Sequence, residues 1–377
     1  MMHSQLKEVF EAAKKCSALN IPFVLFSYPG EKEYTFFADP IPDSEKEYLY
    51  VPMLDAPDSE GFFINMFDNG NQIHPAVIEP AISAQEVLAT DFDKMPGATI
   101  HPSDESTSPE IYDAEIVTVT SLLNSRREKC VISRCVNMTD DENPVNVAFR
   151  YFQKNPSCFR FIYFTRDTGL WFGATPELLA DIDTFKGELH TVSLAGTREK
   201  GTNGDWDEKN KLEHDAVTDY IVEILRGHAL EVQIESDTCV SFGTIEHLCN
   251  RISAFGEINT ESIISNLAPT PAVCGYPTEN AHKYIEMLEH HSRHCYGGWI
   301  GMKQGSHSRF FVNLRSAFVE KLPDGRYRYN IYGGGGITKK SKPLTEWNEA
   351  QAKMEPLLSE IKASKHTLGK RNSGGRE

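Results

Sequence analysis

The sequence predicts an α+β protein with extensive antiparallel sheet, and three observations carry that reading. The stretches FIYFTRDTGLWFG (161–173), LLADIDTFKGELHTVSL (178–194) and RFFVNLRSAFVEKLPDGRYRYNIYGG (309–334) read as hairpins, being strand-like runs on either side of a turn. Their turns carry DTG, KG and PDG, which suit reversals between antiparallel strands. Long helical patterns cover Asp207 to Leu230 and Glu279 to His291, so helices and hairpins are mixed along the chain.

From the N-terminus, MMHSQLKEVFEAAKKC reads as an amphipathic helix without the apolar core and small-residue cleavage site of a signal peptide, which points to a cytoplasmic protein. Phe23 to Ser27 and Tyr34 to Ala38 flank a PGEKE turn, and Glu47 to Met53 and Gly61 to Phe67 add strands, together an antiparallel meander. The polar run HPSDESTSPE (101–110) is the candidate linker. A helix over Ile111 to Asn124 and a strand over Lys129 to Asn137 follow, then another helix and strand. The expected organisation is a strand-rich part over 1–100, a core over 110–362, and a disordered tail over 363–377.

Composition narrows the function. At 377 residues the chain has room for two or so domains or one large sheet domain, and no apolar run is long enough to span a bilayer. A net charge of −16 argues against nucleic acid as partner, because phosphate binding needs clustered Lys and Arg. The eight cysteines form no CxxC pair, so neither a zinc site nor a disulfide framework is indicated.

One stretch concentrates chemistry. Tyr332 to Met354, YGGGGITKKSKPLTEWNEAQAKM, runs four glycines into a basic loop and a helix carrying Glu346, Glu349 and Lys353 on one face. Glycine permits close backbone approach to an anion. The same helix reads equally as an amphipathic one, with Leu344, Trp347, Met354 and Leu358 inward and Glu349–Lys353 an ordinary solvated pair. GxxxxGK[ST] is not met, because Thr338 precedes Lys339. Glu213 lies in line with Val217, Tyr220 and Ile224, so it needs a partner: a metal, an arginine or a shared proton. His290, His291 and His294 lack a matching carboxylate motif and read as a polar helix end.

Taken together, ATPELL (174–179), SLAGTREKG (193–201), KNKLEHD (209–215), IEHL (245–248), APTPAVCGYP (268–277), YGGWIG (296–301), VNLRSA (312–317) and YGGGGI followed by EWNEAQAK form an ordered set. Over about residues 110–360 that set resembles the chorismate-utilising family of isochorismate, salicylate, anthranilate and aminodeoxychorismate synthases. The first hundred residues resemble the shorter isochorismate-synthase type, and no LLES-like inhibitor motif is present. The resemblance implies large antiparallel sheets packed as a sandwich with helices outside. It implies Mg²⁺ bound by Glu213 and Glu349, with Glu346 near its water shell.

It further implies that Tyr296, Arg315 and the backbone of Gly334 and Gly336 meet the enolpyruvyl carboxylate of chorismate, assisted by Lys353. Gly196 and Thr197 would lie against the substrate and His247 beside its ring. Lys129 matches the general base of members that add water, and Glu177 the general acid. The activity implied is isochorismate synthesis, with no amidotransferase subunit and a monomer or weak homo-oligomer. The alternatives are a salicylate synthase, against which Ala272 stands where lyases carry threonine, and an ammonia-using synthase. Asn210 and Ala268 depart from the family pattern, which usually has a glutamate in some members and a histidine there.

Overall fold

A computed structural model describes residues 2–40, 54, 59–69, 74–101, 105–125 and 128–371. In chain order the helices are α1 (Met2–Leu19), α2 (Ala84–Ala89), α3 (Pro109–Leu122), α4 (Pro144–Lys154), α5 (Glu208–Gly227), α6 (Thr260–Leu267), α7 (Thr278–Leu288) and α8 (Pro343–Arg371). The strands are β1 (Phe23–Ser27), β2 (Thr35–Ala38), β3 (Glu60–Asn65), β4 (Ala76–Ile78), β5 (Lys129–Asp140), β6 (Phe159–Thr165), β7 (Gly169–Thr175) and β8 (Leu178–Asp183). They continue as β9 (Glu188–Glu199), β10 (Glu231–Phe242), β11 (Ile245–Phe255), β12 (Gly275–Tyr276), β13 (Trp299–Gln304), β14 (His307–Val312), β15 (Ser316–Lys321) and β16 (Tyr327–Ile337).

Two eight-stranded antiparallel sheets result, ordered β12-β5-β16-β15-β7-β6-β1-β2 and β10-β11-β9-β8-β14-β13-β3-β4. Their inner faces share one core that includes Phe26, Phe161, Trp171 and Phe318 from the first sheet and Phe62, Ile64, Ile300 and Phe311 from the second. Phe159 of β6 and Phe311 of β14 stack across it at 4.1 Å between centroids and 2° between planes. Apolar faces of α1, α4 and α8 cover the outside of the first sheet, and those of α5 and α6 the outside of the second. The expected α+β sandwich with external helices is therefore the observed one.

Three expectations need correcting. Strand β3 does not continue the β1–β2 hairpin but pairs with β13 and β4 in the other sheet, so the N-terminal strands are split between layers rather than forming one meander. The Glu47 to Met53 strand lies outside the described residues. Helix α8 runs on to Arg371 rather than ending at 362: residues 363–371 contain no proline, and Ala363, Lys365, Leu368, Lys370 and Arg371 favour a helix enough to carry it past Gly369. Residues 372–377 are outside the described set.

The third correction concerns the glycine run. Gly333 to Gly336 all lie within β16, which the strand pattern carried only to Gly334, and pair in register with Arg134 to Val131 of β5. None of the four has a positive φ. Their lack of a side chain serves space instead. A Cβ on Gly333 would meet Met354 of α8 at 2.6 Å, on Gly335 the Glu346 carboxylate at 3.1 Å, and on Gly336 the Glu213 carboxylate at 2.3 Å.

The chain passes between the two sheets at two places that matter. From β7 to β8 it crosses through Pro176 and Glu177, and from β14 to β15 through residues 313–315. The crossovers are tied together, since Val312 N donates to Glu177 O at 3.0 Å and Ala174 N to Arg315 O at 3.3 Å.

Candidate active site

A cleft opens at these crossovers. Glu177, Gly196, Thr197, Glu213, His247, Tyr296, Arg315, Gly334, Gly336 and Lys353 all line it, bringing together residues up to 176 positions apart in sequence. Lys129, Glu346 and Glu349 are outside the lining: Lys129 pairs with Glu213 and Glu349 with Lys353 of the cleft wall, and Glu346 pairs with Lys209 beside them.

Arg315 is the cationic floor. It is 9% exposed and holds a left-handed backbone at φ +53°, a costly conformation for a residue with a Cβ. Its carbonyl accepts from Tyr151 Oη at 3.3 Å as well as from Ala174, which fixes that turn. Nη1 donates to Lys353 O at 3.0 Å and Nη2 to His247 Nε2 at 3.0 Å.

The histidine contact sets a tautomer. His247 Nδ1 lies 2.9 Å from Gly196 O, which can only accept, so Nδ1 carries the proton and Nε2 offers its lone pair to Arg315. Burial, with Arg315 and Lys353 nearby, lowers its pKa to about 3. His247 is thus a neutral orienting group. The sequence arranges it through a bulge: opposite His247 on β11 the register slips so that Gly196 and Thr197 of β9 face one residue, with Gly196 at φ +73°. Asn210, the departure noted above, steadies that bulge, its Oδ1 accepting from Thr197 N at 2.8 Å. Its amide is in turn held by Asp207, the N-cap of α5.

On the other wall, three glutamates each meet a lysine. Glu213 pairs with Lys129 at 3.3 Å, Glu346 with Lys209 at 2.9 Å and Glu349 with Lys353 at 2.7 Å. Lys353 also donates to Gly334 O at 2.8 Å. The two α8 glutamates differ electrostatically. For Glu349, burial pushes the pKa up but Lys353 and Lys209 outweigh it and hold the carboxyl below its usual range. For Glu346, 1% exposed, burial wins over Lys209 and the pKa rises.

Glu346 Oε2 is buried without a hydrogen-bond partner, and both α8 carboxylates face the space left by Gly335. Among the described residues no three such groups close into a complete metal cage. Mg²⁺, however, takes one or two carboxylates plus water and substrate oxygens, and an all-oxygen donor set with an unsatisfied buried carboxylate suits it. The residues fit that ion.

Glu177 is 4% exposed, and burial raises its pKa to about 7 against the lowering effects of Thr270, Lys129, Arg315 and Lys353. It is therefore a carboxyl that can hold a proton near neutrality. Lys129, at the head of β5, is 2% exposed.

A family model described as "Chorismate binding enzyme" matches residues 54–362. The chain belongs to the chorismate-binding enzyme family. Isochorismate synthase MenF of Pasteurella multocida (strain Pm70) is 30% identical over 217 residues, 54% of this chain and 50% of that protein. Isochorismate synthase EntC of Escherichia coli (strain K12) is 30% identical over 248 residues, 62% of each. The matched part of the chain thus spans from half to just under two thirds of these two relatives. Isochorismate synthase MenF of Bacillus subtilis (strain 168) is 27% identical over 343 residues, 84% of this chain and 70% of that protein.

Among solved structures, MenF, the menaquinone-specific isochorismate synthase from Escherichia coli, superposes with a TM-score of 0.72 at 20% identity, over 94% of this chain and 92% of that one. Anthranilate synthase component I from Streptococcus pneumoniae TIGR4 gives 0.61 at 17%, over 89% and 92%. These likenesses establish the family's fold. Among the described residues no helix is long and apolar enough to cross a membrane.

Sequence reasoning missed some supports of the family site. Lys209, one helical turn before Glu213, reads as a surface lysine but neutralises Glu346. The 289–294 segment is no polar helix end. Arg293, 2% exposed, pairs with Glu289 and donates to Val131 O and Val273 O at 2.7 Å each. Glu289 accepts from Ser133 N at 2.6 Å, so this pair braces β5 behind the cleft. The EHHSRH pattern offers the charges but not the carbonyls that bury them.

Proposed function

We propose that the protein is a Mg²⁺-dependent isochorismate synthase, adding water at C2 of chorismate and removing the C4 hydroxyl in a reversible isomerisation. The observation that carries the reading is the buried carboxyl of Glu177 in one cleft with Arg315, Tyr296 and Lys353, while Lys129, buried behind the cleft against Glu213, lies within electrostatic reach of that carboxyl. Arg315, Tyr296 and Lys353 bind the enolpyruvyl carboxylate, and His247 keeps the guanidinium aimed. Gly196 and Thr197 lie against the substrate. Glu213, Glu346 and Glu349 would hold Mg²⁺, which supplies positive charge for the ring carboxylate. Lys129 takes a proton from the attacking water, and Glu177 gives one to the departing hydroxyl; a carboxyl with a pKa near 7 is matched to that task.

Ala272 lines the cleft where lyase members of the family resemble one another in threonine, which supports stopping at isochorismate rather than eliminating pyruvate. On this reading the enzyme is cytoplasmic, a monomer or weak homo-oligomer, needs no amidotransferase subunit, and feeds menaquinone or siderophore synthesis. Incubation with chorismate and Mg²⁺, with and without ammonium, tests it. Isochorismate alone is expected. Salicylate with pyruvate, an aminated product, or unchanged chorismate overturns it.

A further inference from the structure

Thr270 stands two residues before Ala272, in the turn between α6 and β12. It is 5% exposed, and its backbone carbonyl closes that turn by accepting from Val273 N at 3.1 Å and Cys274 N at 2.9 Å. Its hydroxyl donates to Glu177 Oε1 at 3.3 Å. Among the described residues this is the one side-chain hydrogen bond to the carboxyl; Oε2 receives none. The main chain of Glu177 is held from elsewhere, its N–H donating to Thr175 Oγ1 at 3.3 Å and its carbonyl accepting from Val312. Three cations face it: Lys129 from β5, Arg315 from the 313–315 crossover and Lys353 from α8. The phenol of Tyr296 lines the same cleft, within electrostatic reach of the carboxyl. None of these bonds to the carboxyl.

From this geometry we infer that Thr270 is a positioning residue for the proton donor, engaging Oε1 so that Oε2 is the oxygen that carries the proton into the cleft. The inference rests on the isochorismate synthase reading. A carboxyl on a side chain with three rotatable bonds has no fixed face unless one oxygen is claimed, and a hydroxyl that donates to Oε1 leaves the acidic proton on the other oxygen. The same bond favours the ionised form, so removing it affects acidity as well as aim.

The test compares Thr270→Val, which keeps shape but removes the donor, with Thr270→Ser, which keeps the donor. Chorismate conversion is followed from pH 6 to 9.5, with thermal melting and direct chorismate binding measured alongside. Thr270→Val should lower kcat by about 10-fold to 100-fold with KM little changed, because a small misplacement of a reacting group costs on that order. Its alkaline limb should move up by roughly half to one pH unit as the carboxylate loses a donor, and Thr270→Ser should restore both. A Thr270→Val profile superimposable on the parent, or a loss of rate without movement of the limb, overturns the inference. If Thr270→Val fails to melt cooperatively, Thr270→Ala is read against Thr270→Ser by the same criteria. Failure of the parent protein to form isochorismate sinks the underlying reading instead.

Discussion

Glu177 is the residue whose environment makes the sharpest prediction. Burial moves its carboxyl from 4.5 to about 7, so near pH 7 about half the molecules hold the proton, whereas an unperturbed carboxyl would hold it in roughly 0.3%. If Glu177 is the acid, kcat/KM for chorismate falls tenfold per pH unit above 7, reaching about a hundredth of its maximum near pH 9. Glu177→Gln has no proton to give and should lose roughly 10² to 10⁴ in kcat at every pH. A stability effect accompanies this and carries its own sign. The unfolded chain releases the proton first, so between pH 4.5 and 7 the folded state binds more protons and stability falls as pH rises. The full difference corresponds to about 3 kcal/mol. Glu177→Gln should therefore gain up to that amount in urea unfolding at pH 8, relative to its difference from the parent at pH 4. A rate profile flat through pH 9, or a stability difference unchanged between the two pH values, refutes the assignment.

Further expectations follow from the same site. Lys129→Ala should bind chorismate while losing roughly 10² to 10⁴ in turnover; undiminished isochorismate formation would remove the base from Lys129. Gly336→Ala should fold, because the clash is with the movable end of Glu213, yet lose activity, whereas Gly334→Ala meets the Ile132 carbonyl at 2.5 Å and should show lower thermal stability. Mg²⁺ at about 100 times its Kd should stabilise the parent by about 2.7 kcal/mol in calorimetry, and Glu349→Ala should abolish most of that gain. His247 stays neutral in the fold to about pH 3 while the unfolded chain takes a proton below 6.5, so it makes stability fall with falling pH. His247→Gln should remove about 1.4 kcal/mol of the loss between pH 7.5 and 5.5, read by urea titration.

The hairpins were legible because DTG, KG and PDG mark the reversals β6–β7, β8–β9 and β15–β16, although residues 309–312 of the third predicted hairpin belong to β14 in the other sheet. The β10–β11 hairpin was not, since the VQIE alternation is short and lies in an edge strand that leaves Ile234 exposed. What the glycine run does for packing was not legible: α8 and α5 press so closely on β16 that no side chain fits at Gly333, Gly335 or Gly336. Sheet membership of β3 depends on partners more than 200 residues away and has no local signal. The site residues were found through ordered motifs of a known family, not through spacing. The cleft's geometry adds what motifs do not carry: the bulge behind Gly196, the lysine facing each glutamate, and the Glu289–Arg293 brace.

The crossovers give the sandwich a mechanical property. Glu177 and Arg315 each sit on a bridge between the same two sheets, and the Phe159–Phe311 stack lies next to one of those bridges. Acid and anion-binding cation are thus like the jaws of a caliper whose beam is the hydrophobic interior. A shear of one layer over the other would load the hydrogen bonds that tie the two crossovers and change the gap between them. Trimming Phe311 should for that reason degrade catalysis at temperatures where the fold is still intact, making turnover a finer gauge of layer alignment than melting.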